Sequence, residues 1–131
     1  MKKISIILAL VVVLVFSLPV MAQDTLKICQ VTDMGGVDDK SFNETAWNGI
    51  LKAKEDFGTE AVVLESTSDS DYAVNIDQFI DDECDLIVTV GYLLADATTE
   101  AAQTYPDYKF SIIDSSVSQP NVVDQVFQTD E

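Results

Sequence analysis

The strongest constraint on the fold is an alternation of short apolar runs with longer segments of helical periodicity. Five runs are predicted as strands: 26–32, 61–65, 85–90, 108–113 and 121–127. Helices are predicted between them over 41–57, from Ser70 or Asp71 to about residue 80, and over about 93–104. Strands that are apolar on both faces indicate a parallel sheet covered by helices on both sides. The sequence therefore predicts an α/β fold, a doubly wound parallel sheet in flavodoxin-like order.

The ends of the first helix carry their own signals. Ser41 and Glu44 have the spacing of a capping box, in which each side chain bonds a free N–H at the helix start. Gly58 can adopt the left-handed conformation that commonly ends a helix. We therefore expect Ser41 to cap the first helix and Gly58 to end it.

The first 22 residues have the pattern of a cleavable export signal. Lys2 and Lys3 precede an apolar run over 4–16, Pro19 follows, and small residues lead up to Ala22. The apolar run is shorter than the roughly 20 residues of a transmembrane helix. No cysteine follows Ala22, so the signal lacks the acceptor of a lipid anchor. We predict a signal peptide over 1–22 and a mature chain, 23–131, in the periplasm or otherwise outside the cytoplasm.

The acidic composition excludes nucleic-acid polymers as natural partners. After removal of the signal, five lysines remain against 23 acidic residues, and the chain contains neither arginine nor histidine. A surface of this sign repels a phosphate backbone. The acidic residues are dispersed along the chain, which favours a role in solubility over that of an acidic tail.

The two cysteines are expected to be buried and unpaired. Cys29 lies inside the first predicted strand, and Cys84 comes just before the third. A disulfide is possible in an exported protein, but single cysteines often pack as small apolar residues. Without histidine, two cysteines do not complete a zinc site, so the sequence predicts neither a metal nor a cofactor.

The loop between the first strand and the first helix, residues 32–43, has the richest chemistry. Its paired glycines fit neither a P-loop nor a dinucleotide fingerprint, and its aspartates would oppose a phosphate. Asn43 offers a donor and an acceptor side by side, Phe42 a stacking face, and Asp33 an acceptor for N–H or hydroxyl groups. The structural alternative is that Asp33 and Asp39 cap turns, Phe42 fills the core and Asn43 is solvated.

Residues 31–49, with the core Gly-Gly-Val-Asp-Asp-Lys-Ser-Phe-Asn, resemble the basic-membrane-protein family of solute-binding proteins, which includes purine-nucleoside receptors. Further similarity lies in 85–91 and 110–114, so the resemblance covers nearly all of the mature chain. It implies the first lobe of a type I periplasmic-binding-protein fold that binds a nucleoside between two lobes. It implies ligand contacts at Asp33, Phe42, Asn43 and Asp114. Gly91 and Tyr92 are expected to form the wall of the site.

The resemblance also implies an ABC permease in the membrane as partner, a small-molecule ligand and a monomeric receptor without enzymatic activity. The sequence ends just after a predicted strand, so we expect an incomplete lobe with one face of its sheet bare. Two other functions stay open. One is an exported nucleoside hydrolase using Asp33 and Asp114, and the other is a surface sensor of the same fold. No histidine is present to serve as a catalytic base.

Overall fold

The computed structural model describes residues 25–127. The predicted signal peptide, 1–22, lies outside the described residues, as do residues 128–131. Within 25–127, none of the helices combines the length and the apolar character needed to cross a bilayer.

The described chain folds into five strands and three α-helices, with one short 3₁₀ turn. In chain order these are β1 (Lys27–Val31), α1 (Phe42–Phe57), β2 (Glu60–Leu64), α2 (Asp71–Asp81), β3 (Leu86–Val90), the 3₁₀ turn (Tyr92–Leu94), α3 (Ala95–Thr104), β4 (Phe110–Ile113) and β5 (Val122–Gln125). All five predicted strands and all three predicted helices are present.

The strands form one parallel sheet in the order β2-β1-β3-β4-β5. This is the flavodoxin-like order, and the predicted α/β doubly wound fold is confirmed. In an all-parallel sheet every strand ends at the same edge. The segments after β1, β3 and β4 therefore meet at one carboxyl edge.

Alternating side chains of each strand face two separate apolar layers. On one face, α2 and α3 cover a core that contains Ile76, Phe79, Ile87 and Phe110. On the other face, α1 packs Ile50 and its neighbours against β3. Trp47 is half-buried in this second layer.

The structure confirms the predicted end of α1, whereas the last strand is shorter than predicted. Gly58 ends α1 as expected, with φ 72° and its N–H donating to the carbonyl of Lys54 at 3.0 Å. The last strand was predicted over 121–127 but spans Val122–Gln125. Gln125 pairs with Ile113, the last residue of β4, so β5 has no neighbour to bond beyond that point.

Cys29 and Cys84 are bonded to each other, so the expectation of two unpaired cysteines was wrong. Both are buried, as expected, in the layer under α2. The reason for the pairing is topological. β1 lies beside β3, Ile28 pairs with Leu86, and Cys84 stands just ahead of β3. Their Cα atoms are 6.1 Å apart, inside the range that a disulfide requires.

The sheet face beside α1 carries an apolar groove of about 360 Å³ next to β4 and β5. Its walls include Phe42 and Ile50 from α1, Val88 and Ile113 from the sheet, and Phe127. Among the described helices only α1 packs on this face, which leaves the part of the sheet at β5 exposed. The face expected to be bare is therefore covered in part by α1, and among residues 25–127 it is exposed only on its β5 side.

Removing the disulfide is expected to destabilise the fold. The bond closes a loop with a sequence separation of 55 residues, and chain entropy gives such a loop roughly 4 kcal/mol of stabilisation. We predict that the double variant Cys29→Ala/Cys84→Ala lowers the free energy of unfolding in urea by about 2–4 kcal/mol. The oxidised wild type should show no free thiol after unfolding without reductant. A wild type with two titratable thiols would contradict the pairing.

Candidate ligand-binding site at the carboxyl edge of the sheet

The carboxyl edge brings the ends of three neighbouring strands together. Asp33 follows β1, Gly91 follows β3, and Asp114 follows β4. Since β3 lies between β1 and β4, the two aspartates flank Gly91 on the same edge. A methyl group at Gly91, which has φ 96°, would stand 3.4 Å from Asp33 Oδ2. The absence of a side chain there keeps the space beside that oxygen open.

Asn43 bridges two aspartates through its side-chain amide. Its Nδ2 donates to Asp33 Oδ1 at 2.7 Å and to Asp39 Oδ2 at 3.0 Å. Both partners are carboxylates, which only accept hydrogen bonds when ionised, so the nitrogen must be the atom that faces them. The side chain is 2 % exposed, and its Oδ1 is buried without a partner among the described residues. Asn43 is therefore buried, and both hydrogens of its amide nitrogen are used in hydrogen bonds to the two aspartates.

Asp39 is the residue that caps α1, and the predicted capping box at Ser41 and Glu44 was wrong. The Ser41 side chain makes no capping hydrogen bond. Asp39 Oδ1 instead accepts from the N–H groups of Ser41 at 2.8 Å and Glu44 at 3.1 Å, while Oδ2 accepts from that of Asn43 at 3.1 Å. A carboxylate can accept several bonds at once and also favours the positive end of the helix dipole.

The protonation state of Asp39 follows from these contacts. Partial burial acts to raise the pKa of Asp39, but the hydrogen bonds from Glu44, Ser41 and Asn43 outweigh it and hold that pKa below the usual aspartate value. Asp39 is therefore ionised at neutral pH and has no proton to donate. The neighbouring Asp38 is exposed.

The paired glycines let the loop fold tightly over this network. A Cβ on Gly35 would lie 3.1 Å from Asp33 Oδ1 and 3.2 Å from Asn43 Nδ2, while its N–H donates to Asp33 Oδ1 at 2.9 Å. Gly36 has φ 65°, and a Cβ there would approach Glu65 Oε1 to 2.9 Å. The same Glu65 oxygen accepts from the N–H of Val37 at 2.7 Å, which ties the loop to the end of β2.

Phe42 is the first residue of α1 and is 43 % exposed. Its ring contacts that of Phe127, with 5.7 Å between centroids and a tilt of 52°. Phe42 begins α1 just after the loop that carries the aspartates, and its ring lines the apolar groove beside β4 and β5. Tyr92, predicted as part of the wall, is exposed on the 3₁₀ turn after Gly91.

Asp114 is held at the end of β4 in an unusual backbone conformation. Its φ is 60°, a left-handed value that aspartate tolerates better than most residues. Its N–H donates to the carbonyl of Gln125 at 2.8 Å, which fixes the position of the residue beside β5. The half-buried side chain receives no hydrogen bond from the described part of the chain.

The structure confirms one part of the structural alternative for the loop and contradicts the other part. Asp33 and Asp39 do cap turns, because each accepts a hydrogen bond from the N–H two residues on, those of Gly35 and Ser41. Phe42 does not fill the core and Asn43 is not solvated, so those two parts of the alternative were wrong. The network leaves one oxygen of Asp33, Oδ2, without a hydrogen bond from residues 25–127.

Two contributors to the site were missed in the sequence. Gln30 is fully buried in β1, and its Nε2 donates to the backbone carbonyl of Asn43 at 3.0 Å. A polar residue inside an otherwise apolar strand was a signal for this contact. Phe127 gave no comparable signal, because its contact with Phe42 depends on where β5 lies.

The edge offers oxygen acceptors and an aromatic face rather than a metal site. Within residues 25–127, no cluster of three or more histidine, cysteine, aspartate or glutamate side chains is arranged to hold a metal ion. Asp33, Asp39, Asp114 and Glu65 all lie at or beside this edge, so its potential is negative. Such a site suits an uncharged ligand with hydroxyl or N–H groups and opposes a phosphate.

The relationship of this chain to known proteins follows from a family match. Residues 27–131 match the family described as Bmp, ABC transporter substrate-binding protein PnrA-like. The chain belongs to this family. The resemblance noted in residues 31–49 is thereby confirmed, and the match extends over the whole sheet.

Several curated proteins are similar to this member of the Bmp family. Basic membrane protein A of Borreliella burgdorferi is 40 % identical over 109 residues, which cover 80 % of this chain and 32 % of the relative. The ABC transporter nucleoside-binding protein BmpA of Lactococcus lactis is 38 % identical over 111 residues, or 81 % of this chain and 32 % of that protein. The chain spans about a third of the length of these relatives.

A solved structure supports the same assignment. The solute-binding protein of an ABC transporter system from Aeropyrum pernix superposes with a TM-score of 0.72 and 30 % sequence identity. The superposition covers 77 % of this chain and 28 % of that one. The parallel sheet of this Bmp-family chain is thus similar to the sheet of an ABC solute-binding protein.

The two glycines Gly36 and Gly49 provide a matched test of the loop. Gly36→Ala places a methyl group at positive φ and against Glu65, and we expect a loss of roughly 1–2 kcal/mol in unfolding free energy. Gly49 lies in α1 with open space around it, so Gly49→Ala should instead stabilise the helix by up to about 1 kcal/mol. Urea unfolding of both variants measures the difference. Equal effects would contradict the tight packing of the loop on Glu65.

Proposed function

We propose that this Bmp-family protein is the extracytoplasmic binding component of an ABC importer, that it captures a purine nucleoside, and that it does not alter the ligand. The observation that carries the proposal is the arrangement at the carboxyl edge. Asp33 is held with one oxygen turned toward the open space at Gly91, and Phe42 exposes its ring at the start of α1. Ligands of doubly wound sheets bind at this edge.

The chemistry of the edge fits a nucleoside better than a nucleotide. A nucleoside is uncharged, carries ribose hydroxyls and ring N–H groups that donate to carboxylates, and has a flat base that can stack on a phenylalanine. Asp33 and Asp114 supply acceptors without a compensating cation among their described hydrogen-bond partners, which opposes a phosphate. The name of the Lactococcus lactis relative, a nucleoside-binding protein, points to the same ligand class.

The roles of the four predicted contacts follow from their surroundings. We propose that Phe42 stacks on the base and that Asp33, through Oδ2, and Asp114 accept from the ligand. Asn43 has an unpartnered oxygen that is buried in this structure, so its direct contact with the ligand would be as an acceptor and would require that oxygen to become accessible. The matched part of this chain covers 32 % of each of these relatives, and we propose that a second lobe supplies the opposite wall of the site. An ABC permease would then receive the ligand from the closed receptor.

Nucleoside binding and its dependence on the two aspartates test this proposal. We expect inosine, adenosine or guanosine to raise the thermal midpoint of the protein that includes the second lobe, and chromatography to recover the nucleoside intact. Asp33→Asn and Asp114→Asn each replace a charged acceptor, so calorimetry should show affinity at least about tenfold weaker. The control is Asp107→Asn, an exposed aspartate in the loop that leads into β4, at the opposite edge, and it should bind as the wild type.

Two outcomes would overturn the assignment. Release of free base during incubation would show that the protein is a nucleoside hydrolase, the alternative that the sequence left open. Wild-type protein that binds none of the three nucleosides would remove the ligand class altogether.

A further inference from the structure

We propose that Asp39 is a positioning residue for the ligand-binding site, and that it orients the Asp33 carboxylate through the side-chain amide of Asn43. The ligand in this proposal is the nucleoside proposed above, and to that extent the inference rests on the proposed function. Asp39 itself does not contact the ligand. Its effect passes along a chain of hydrogen bonds from Asp39 to Asn43 and from Asn43 to Asp33.

Asp39 is the fixed end of this chain. Its two oxygens accept four hydrogen bonds, three from backbone N–H groups of Ser41, Asn43 and Glu44 and one from Asn43 Nδ2. Backbone donors at the start of a helix cannot rotate away as side chains can. The carboxylate of Asp39 is therefore held in one orientation, with Oδ2 directed at the amide of Asn43.

The Asn43 amide transmits this orientation to Asp33. With one hydrogen of Nδ2 bonded to Asp39 Oδ2 at 3.0 Å, the other is directed to Asp33 Oδ1 at 2.7 Å. If the amide turned over, its carbonyl oxygen would face two carboxylates, which cannot donate to it. The negative charge of Asp39, together with that of Asp33, thus selects the orientation of Asn43 in which Asp33 receives a donor.

As a result, one oxygen of the Asp33 carboxylate is hydrogen-bonded within the protein, and the other is available to a ligand. Oδ1 accepts from Asn43 Nδ2 and from the N–H of Gly35 at 2.9 Å, while Oδ2 receives no hydrogen bond from residues 25–127 and faces the position of Gly91. Fixing Oδ1 also fixes the direction in which Oδ2 can accept from a ligand. A preorganised acceptor loses less conformational entropy when the ligand binds.

The same residue also sets the position of Phe42. Asp39 caps α1 at its first turn, and Phe42 is the first residue of that helix. One carboxylate therefore defines both the acceptor and the aromatic face that the site presents. A role limited to helix capping would leave the orientation of the Asn43 amide independent of Asp39, and this difference can be measured.

The variant Asp39→Asn separates the two roles. The remaining side-chain oxygen can still accept from Ser41 and Glu44, and asparagine is as good a helix cap as aspartate, although the bond from the N–H of Asn43 to Oδ2 is lost. Its NH₂ group, however, would replace Oδ2 and confront the donating nitrogen of Asn43. The matched control is Asp38→Asn, which makes the same change of charge one residue earlier at an exposed side chain.

Two measurements are made on the wild type and both variants. In NMR spectra, the side-chain amide hydrogens of Asn43 should exchange slowly in the wild type and in Asp38→Asn, and should shift and exchange faster in Asp39→Asn. Nucleoside affinity should fall at least about tenfold in Asp39→Asn and less than about twofold in Asp38→Asn. Thermal midpoints show whether each variant is folded under the conditions of both measurements.

The outcomes distinguish this proposal from the proposed function. Unchanged Asn43 amide signals in a folded Asp39→Asn variant overturn it, even if stability falls, because Asp39 is then a helix cap only. Changed signals with wild-type affinity overturn it as well. If the wild type binds no nucleoside but the Asn43 signals change in Asp39→Asn, the proposed ligand class is refuted. The orientation of Asp33 by Asp39 is then retained. Should Asp39→Asn not fold, scalar couplings across the hydrogen bonds of wild-type Asn43 decide, and a missing coupling to the Asp39 carboxylate refutes the proposal.

Discussion

The amide nitrogen of Asn43 lies within 3.0 Å of two carboxylate oxygens that would otherwise repel each other. Its two hydrogens offset that repulsion and allow Asp33 and Asp39 to stand in the same small region of the carboxyl edge. This contact joins the aspartate that caps the start of α1 to the aspartate that receives the N–H of Gly35 in the glycine loop. Burial strengthens it, because a side chain that is 2 % exposed loses little to competing water.

Charge is a second constraint on the whole molecule. The sequence has 23 acidic residues against 7 basic ones, and self-repulsion in such a chain opposes a compact state. Several aspartates are therefore placed where backbone N–H groups meet them. The O–H of Ser116 and the N–H of Val117 hold the pKa of Asp124 below its usual value, and Thr67 has the same effect on the pKa of Asp71. These carboxylates organise loops in a chain that has few cations to pair with them.

The fold could be predicted from periodicity, whereas the site could be predicted only in outline. Apolar runs of strand length alternating with helices lead to one sheet order, and Asp33 and Asp114 follow from the rule that strand ends share an edge. The helix cap could not be assigned, because Ser41 and Asp39 are both suitable acceptors and only the course of the loop decides between them. The pairing of Cys29 with Cys84 was accessible in principle, since the expected strand order places β1 beside β3. The contact of Phe42 with Phe127 was not, because it depends on the path of the chain after β5.

The disulfide has a consequence for how the molecule behaves when its backbone is cut. It joins Cys29 of β1 to Cys84, two residues before β3, so α1, β2 and α2 all lie inside one covalent ring. A protease that nicks any peptide bond in that ring opens the circle without releasing a fragment, and the strands on either side stay linked. In an oxidising compartment, where the bond persists, such damage would be visible on a gel only after reduction.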